Sequence, residues 1–230
     1  MSIRVSNKQL SIAGVTTGIC VLVFIILCSA SNLIHATERT AIMPDHPLHG
    51  PGLAKGVLLI AGKELRDPNF EKTVILITEF DAKGTVGLVI NRRTKIPVSE
   101  ALPELQKMLP ILDHLYIGGP VAMNSINLLI RSEVPLADAT HVTHDIYLIE
   151  TLEQFDKLSP DEIEPENLRL FSGFAGWAPG QLESELIRGD WHLWHSSAEI
   201  VFDSVPGNVW HDLIRLVSAK WVRRDNRDTG

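Results

Sequence analysis

Two histidine pairs, His141/His144 and His192/His195, are three residues apart, and that spacing would serve a metal if both rings faced one way. Residues three apart share a face on a helix but oppose each other on a strand. Both pairs fall in segments that read as strand or loop, so they read as surface histidines, and neither a metal nor another cofactor is expected. Carboxylates are the next candidates. Over Pro179–Arg188, at 100° per residue, Leu182, Glu183, Leu186 and Ile187 fall on one side of a helix. Gln181, Ser184, Glu185 and Arg188 fall on the other. Glu183 is then expected among apolar neighbours, near a helix N-terminus whose dipole favours its charge, while Glu185 pairs with Arg188 at i,i+3. A half-buried Glu183 has two readings: an acid or base, or a loop anchor accepting backbone N–H groups.

Other chemistries lack their residues. The two cysteines, Cys20 and Cys28, both lie in an apolar N-terminal run, so the remainder has no thiol nucleophile, disulfide or cysteine ligand. No G-x-S-x-G elbow supports a serine nucleophile; Ser172 and Ser196 read as ordinary strand-edge or turn residues. No Walker loop or G-x-G-x-x-G is present to cradle phosphate. Two glycine clusters remain, Gly118-Gly119-Pro120 and the run from Gly173 through Gly176, Trp177 and Gly180. Glycine permits close backbone approach. An aromatic between glycines ahead of a helix N-terminus suits an anion or carbonyl; it equally suits a packed corner.

The elements that must position these residues follow from hydropathy. Gly56–Ala61, Thr73–Thr78 and Val86–Ile90 read as strands, with Asp81-Ala82-Lys83-Gly84 as a hairpin turn. They are apolar throughout, which predicts a sheet covered on both faces. Pro103–Leu109 reads as a short helix opened by one proline and stopped by Pro110. Strands follow at His114–Ile117, Ile126–Ile130 and Asp145–Ile149, then a helix Thr151–Leu158 capped near Thr151, and a strand Leu168–Phe174. Helix Pro179–Arg188 precedes a strand pair, Trp191–Trp194 and Glu199–Phe202. Finally Val209, Trp210, Leu213, Ile214 and Val217 make one stripe of a helix over Pro206–Ala219. Strands and helices mix without regular βαβ alternation, so the class is α+β.

The chain has 230 residues and a net charge of −7. Setting aside residues 1–42, with Arg4, Lys8, Arg39 and Glu38, leaves 18 basic against 27 acidic residues, or −9. Such a domain is repelled by phosphate polymers unless its basic residues share one face, which argues against nucleic acid as a partner. Gln9–Ile34 holds no charged residue and follows Arg4 and Lys8. This is the layout of a signal peptide or an uncleaved anchor, long enough to cross a hydrocarbon core of roughly 30 Å. Basic residues ahead of it favour the domain outside the cytoplasm. The expected organisation is a signal peptide or anchor at 1–36 entering the membrane through residues 9–34, a linker at 37–54, a domain at 55–222 and a polar tail at 223–230. Met43 stands just ahead of the domain, and a start there would leave a cytoplasmic protein.

Five short runs carry a resemblance. G-x-L-L-I-A at the first strand, D-P-x-F at Asp67–Phe70, G-x-V-I-N ending at Asn91, G-G-P-V at Gly118–Val121 and G-F-A-G-W-x-P-G-Q-L-E-x-E at Gly173–Glu185 resemble the AlgH/YqgE family of bacterial proteins, from about residue 55 to 221. The resemblance implies a single α+β domain with a mixed, bifurcated, partly barrel-like sheet surrounded by helices, here preceded by an N-terminal apolar helix. It implies no established enzyme activity, and the family name refers to a regulator of alginate synthesis. The chain departs from the family at Gly62-Lys63, where Met-Pro is usual, and at Arg93, where Pro is usual. Phe80 and Ile130 stand where relatives often carry histidine. Relatives are typically cytoplasmic, whereas this N-terminus points to the bacterial inner membrane.

The expectation is a non-enzymatic binding or regulatory module held at a membrane. Its candidate binding residues are Asn91, Gly118, Gly119, Gly173, Gly176, Trp177, Gly180, Gln181, Glu183 and Glu185, and its partner is a small molecule or a protein. No catalytic residue is assigned. The alternatives are an enzyme using Glu183 or Glu185 as acid/base with Asn91, and the transcriptional regulator suggested by the family name.

Overall fold

The strands run in chain order as β1 (Val57–Ala61), β2 (Val74–Asp81), β3 (Gly84–Val89), β4 (Arg93–Pro97), β5 (His114–Ile117), β6 (Val121–Arg131), β7 (Thr140–Thr143), β8 (Ile146–Ile149), β9 (Leu168–Trp177) and β10 (Trp191–His195). The helices are α1 (Val98–Ala101), α2 (Leu152–Asp156), α3 (Gln181–Arg188) and α4 (Pro206–Asp225). They come from a computed structural model that describes residues 51–103, 105, 111–112, 114–158 and 163–225. The expected membrane segment 9–34, most of the linker and the body of the expected helix Pro103–Leu109 lie outside the described residues. Among those described, no helix is long and apolar enough to cross a membrane.

The sheet follows the order β10-β1-β2-β3-β9-β6-β8-β7. All of these neighbours are antiparallel. The sheet branches at β9. One edge of β9 pairs with β6, while the other edge pairs in parallel with β5 over Leu170–Ser172 and then with β3 over Ala175–Trp177. β4 adds to β5. The sheet also curls, as in a half-barrel, and brings its far end back toward β1. Thr143 at the end of β7 lies against Gly56, and Arg131 at the end of β6 donates to the carbonyl of Ala198 at 2.9 Å.

Two apolar clusters fill the two sides. The larger gathers β1, β2 and β3 with Trp177, Leu182, Trp191 and the α4 stripe of Val209, Trp210, Leu213, Ile214 and Val217. The smaller gathers Leu115, Leu128, Ile130, Ile149 and Leu170 with Val98 of α1 and Phe155 of α2. β1 and the first five residues of β2 are buried throughout, as continuous apolar runs require. Asp81 accepts a 2.7 Å hydrogen bond from the N–H of Lys83 and closes the β2–β3 hairpin at the expected turn. Thr151 caps α2 through a reciprocal bond pattern with Gln154.

Three expectations need correction. Glu199–Phe202 is not a strand: Glu199–Asp203 forms a wide helical turn with Val201 and Phe202 buried. β10 instead finds its partner in β1, with Trp191 opposite Ala61, and forms one end of the sheet. β4 and β7 are strands that the hydropathy did not single out, because each is short and mostly polar. The last helix runs on to Asp225, so the expected tail begins inside it.

Candidate functional site

The run Gly173–Glu185 leaves β9, turns at Ala178-Pro179-Gly180 and enters α3. Gly180 caps α3 in the left-handed region at φ 77°, where a side chain is disfavoured. Within this corner the central group is Glu185. Its Oε2 accepts the indole N–H of Trp177 and that of Trp191, each at 2.8 Å. Its Oε1 accepts the side-chain amide of Gln181 at 3.0 Å, and the Gln181 Oε1 accepts the N–H of Ala178 at 3.1 Å. Both indoles are buried, and an indole N–H is a donor with no other use. Phe70 packs against both rings, at 6.0 Å from Trp177 and 5.8 Å from Trp191. The two tryptophans meet edge to face at 6.0 Å, a favoured aromatic geometry. One carboxylate thus joins β9, α3 and β10, and Phe70 brings the Asp67–Phe70 motif onto the same rings.

This turns α3 away from the expected orientation. Leu182 is fully buried and Ile187 is 77% exposed, so the inward stripe is Leu182, Glu185 and Leu186 rather than Leu182, Glu183, Leu186 and Ile187. Two indole donors draw Glu185 inward, and they come from residues outside the helix. Arg188 pairs with Asp190 at 2.6 Å, not with Glu185. Glu183 is left half-exposed on the flank of the helix.

The other glycine cluster is a crossing point. The N–H of Gly118 donates to the carbonyl of Ser172 at 2.9 Å, and its carbonyl accepts from Val89 at 2.8 Å. Gly118 therefore bridges β9 and β3 in the fork where β5 gives way to β3. A Cβ on Gly118 would collide with the carbonyl of Gly173, and one on Gly119 with the backbone of Phe174 and Ala175. Gly173 lies at φ 70° and faces the carbonyls of Gly119 and Val121, at 2.7 and 2.8 Å from where its Cβ would stand. Gly118, Gly119 and Gly173 thus belong together as a packing device. Gly176 is exposed beside the ring of Phe174.

Asn91 stands apart from the corner's hydrogen bonds. Its Oδ1 accepts the N–H of Val74 and its Nδ2 donates to the carbonyl of Lys72, both at 2.9 Å. Lys72 is left-handed at φ 55°, and the amide holds that turn. The sequence brought Asn91 forward beside Glu183 and Glu185; the structure places its side chain on the backbone before β2. The two histidine pairs stand differently, because His144 follows β7 in a left-handed turn at φ 44°. His141 Nε2 lies 2.7 Å from the carbonyl of His144, and His192 and His195 sit three apart on β10. The residues missed by sequence reasoning are Phe70 and Trp191. The D-P-x-F motif contained the first, but nothing local tied either to Glu185.

Comparison with known proteins finds relatives of the chain in sequence and in fold. A family model described as AlgH-like matches residues 58–222. A UPF0301 protein of Cytophaga hutchinsonii is 32% identical over 171 residues, covering 74% of this chain and 92% of that one. Another UPF0301 protein, from Corynebacterium efficiens, is 32% identical over 189 residues, 81% of this chain and 88% of that one. Among solved structures, a crystal structure of a Corynebacterium diphtheriae protein aligns with TM-score 0.62 and 28% identity, over 74% of this chain and 90% of that one. The solution structure of the AlgH protein from Pseudomonas aeruginosa aligns with TM-score 0.55 and 27% identity, over 75% and 90%.

Proposed function

The chain belongs to the AlgH-like family of uncharacterised bacterial proteins, and from that premise we propose that it is a non-enzymatic binding or regulatory module. Its contact surface is the lip at residues 176–180 together with the outward flank of α3, including Glu183 and Ile187. The observation that carries this reading is the engagement of both Glu185 oxygens by three N–H donors. A general acid or base needs a lone pair or proton within reach of substrate, and here Oε2 is turned inward onto two buried indoles while Oε1 is engaged by the Gln181 amide. The amide of Asn91 is likewise committed to backbone. What the motif offers outward is a rigid lip of small residues and an exposed isoleucine, a surface suited to contact with a small molecule or a protein. Residues 9–34 hold the module at a membrane.

A photo-reactive residue at position 187 of the full chain, expressed in its own cells, tests the contact surface. A discrete cross-linked species is expected there and not from position 216, which is also exposed. Glu183→Lys should abolish it while leaving stability within about 0.5 kcal/mol, as for most surface changes. Equal labelling from both positions, or labelling indifferent to Glu183→Lys, contradicts the assignment. The tether has its own test: mass spectrometry of the N-terminus in the membrane fraction should find residues 9–34 retained, and a product starting at Met43 or after Ala30 or Ala36 overturns it.

A further inference from the structure

An open groove of about 570 Å³ lies between the Gly62-Lys63 turn and the start of α4. Lys63, Asn208, Trp210, His211, Asp212, Ile214 and Arg215 line it. We propose that this groove binds a planar organic anion, an aromatic or heteroaromatic group bearing a phosphate or carboxylate, with Lys63, His211 and Arg215 facing the charge and Trp210 and Ile214 the ring. The proposal stands apart from the lip of the corner and does not need that lip to bind anything.

Charge selects the ligand. The chain is net negative at −7, yet Lys63 and Arg215 face one groove against a single acid, Asp212. Arg215 Nη2 holds Asp212 at 2.6 Å and its Nε donates to the carbonyl of His211 at 3.3 Å, which steers the guanidinium toward the helix start. Lys63 makes no ion pair among the described residues and is exposed. The imidazole of His192 on β10 is held below its ordinary pKa by burial and then by the nearby charge of Lys63; neutral or protonated, an imidazole carries no negative charge to balance that lysine. An incoming anion would supply one.

Shape selects the rest of the ligand. Trp210 donates its indole N–H to the carbonyl of Ala61 at 2.8 Å, which fixes the ring and leaves it no donor for a ligand, so it contributes surface. His211 meets that ring at 5.0 Å and 73°. The volume is several times that of a bare phosphate and falls in the range of small-molecule sites, roughly 300–1,000 Å³. An apolar floor beneath a cationic rim is the usual division of labour in such sites.

Adenosine 5′-monophosphate, phenyl phosphate and inorganic phosphate, titrated into the full 230-residue chain and followed by two-dimensional NMR, provide the test. The two aromatic phosphates should shift the Trp210 indole and the amides of Lys63 and His211–Arg215 saturably, and bind at least tenfold tighter than inorganic phosphate. Raised salt should weaken them. Lys63→Ala with Arg215→Ala should weaken binding at least tenfold; both side chains are exposed, so the fold survives, and Lys63→Arg should restore most of the affinity lost at that position. No saturable shift, shifts confined to residues 173–188, or a Lys63→Ala/Arg215→Ala variant that binds as well as the parent would overturn the proposal. Equal affinity for inorganic phosphate would overturn the role of the apolar floor.

Discussion

At Glu185 a carboxylate is turned inward to meet two buried indole N–H groups, and the rest of the corner follows from that contact. Charge-assisted hydrogen bonds are stronger than neutral ones, and leaving a buried donor unmet costs about 1–3 kcal/mol. Glu185→Ala, which strands both indoles, should therefore destabilise the protein by about 2–4 kcal/mol in urea unfolding, with Glu185→Gln losing less because an amide oxygen still accepts. A loss below about 0.5 kcal/mol for the alanine variant would show that the indoles find water instead. Helical periodicity put Glu183 inside and Glu185 outside because it weighs hydropathy alone. The donors that reverse the choice arrive from β9 and β10, beyond any local window. His192 gives a second residue-scale prediction. Burial and Lys63 hold its folded pKa below the unfolded value, so the unfolded chain binds a proton first as pH falls. Stability should be flat above the ordinary histidine range and decline as pH drops through it. Lys63→Ala should raise the His192 pKa in an NMR titration while leaving it below that of a free histidine, since burial is the larger cause.

The elements were legible where one hydrophobic period governs them and illegible where shape does. β1, β2, the β2–β3 turn, β5, the start of α2 and the α4 stripe all fall where apolar runs, turn residues and caps put them. β4 and β7 carry little hydropathy, and only the neighbouring strands make them strands. The fork at β9 depends on three glycines whose importance is steric, and glycine content alone does not separate a crossing point from a loop. Gly119→Ala and Gly207→Ala separate the two uses. At Gly119 a Cβ would enter the backbone of Phe174 and Ala175, whereas at Gly207, in the first turn of α4, it meets nothing within 4 Å. The first should cost roughly 2–4 kcal/mol and the second should stabilise by about 0.4–1 kcal/mol, by restricting the unfolded chain. Chemical denaturation of the two variants reads both. Similar effects at the two sites would contradict the role of the Gly118–Gly119 crossing.

Across the whole molecule, the resemblance-bearing motifs converge on structure before function. D-P-x-F delivers Phe70, G-x-V-I-N delivers the Asn91 amide, G-G-P-V fills the fork, and the Gly173–Glu185 run holds the corner. Shared motifs identified the family without identifying a reaction, because the side chains they supply are spent on one another. For function the sequence offers only a proposed location, the rim that these interactions leave exposed. Whether the polar ends of the corner are committed inside the fold is read directly by hydrogen exchange of the Trp177 and Trp191 indole N–H groups. Bonded to Glu185 and buried, both should exchange only through large-scale unfolding, orders of magnitude more slowly than an exposed indole, and Glu185→Ala should release them. Indoles that exchange in the parent protein as fast as exposed ones would contradict that commitment.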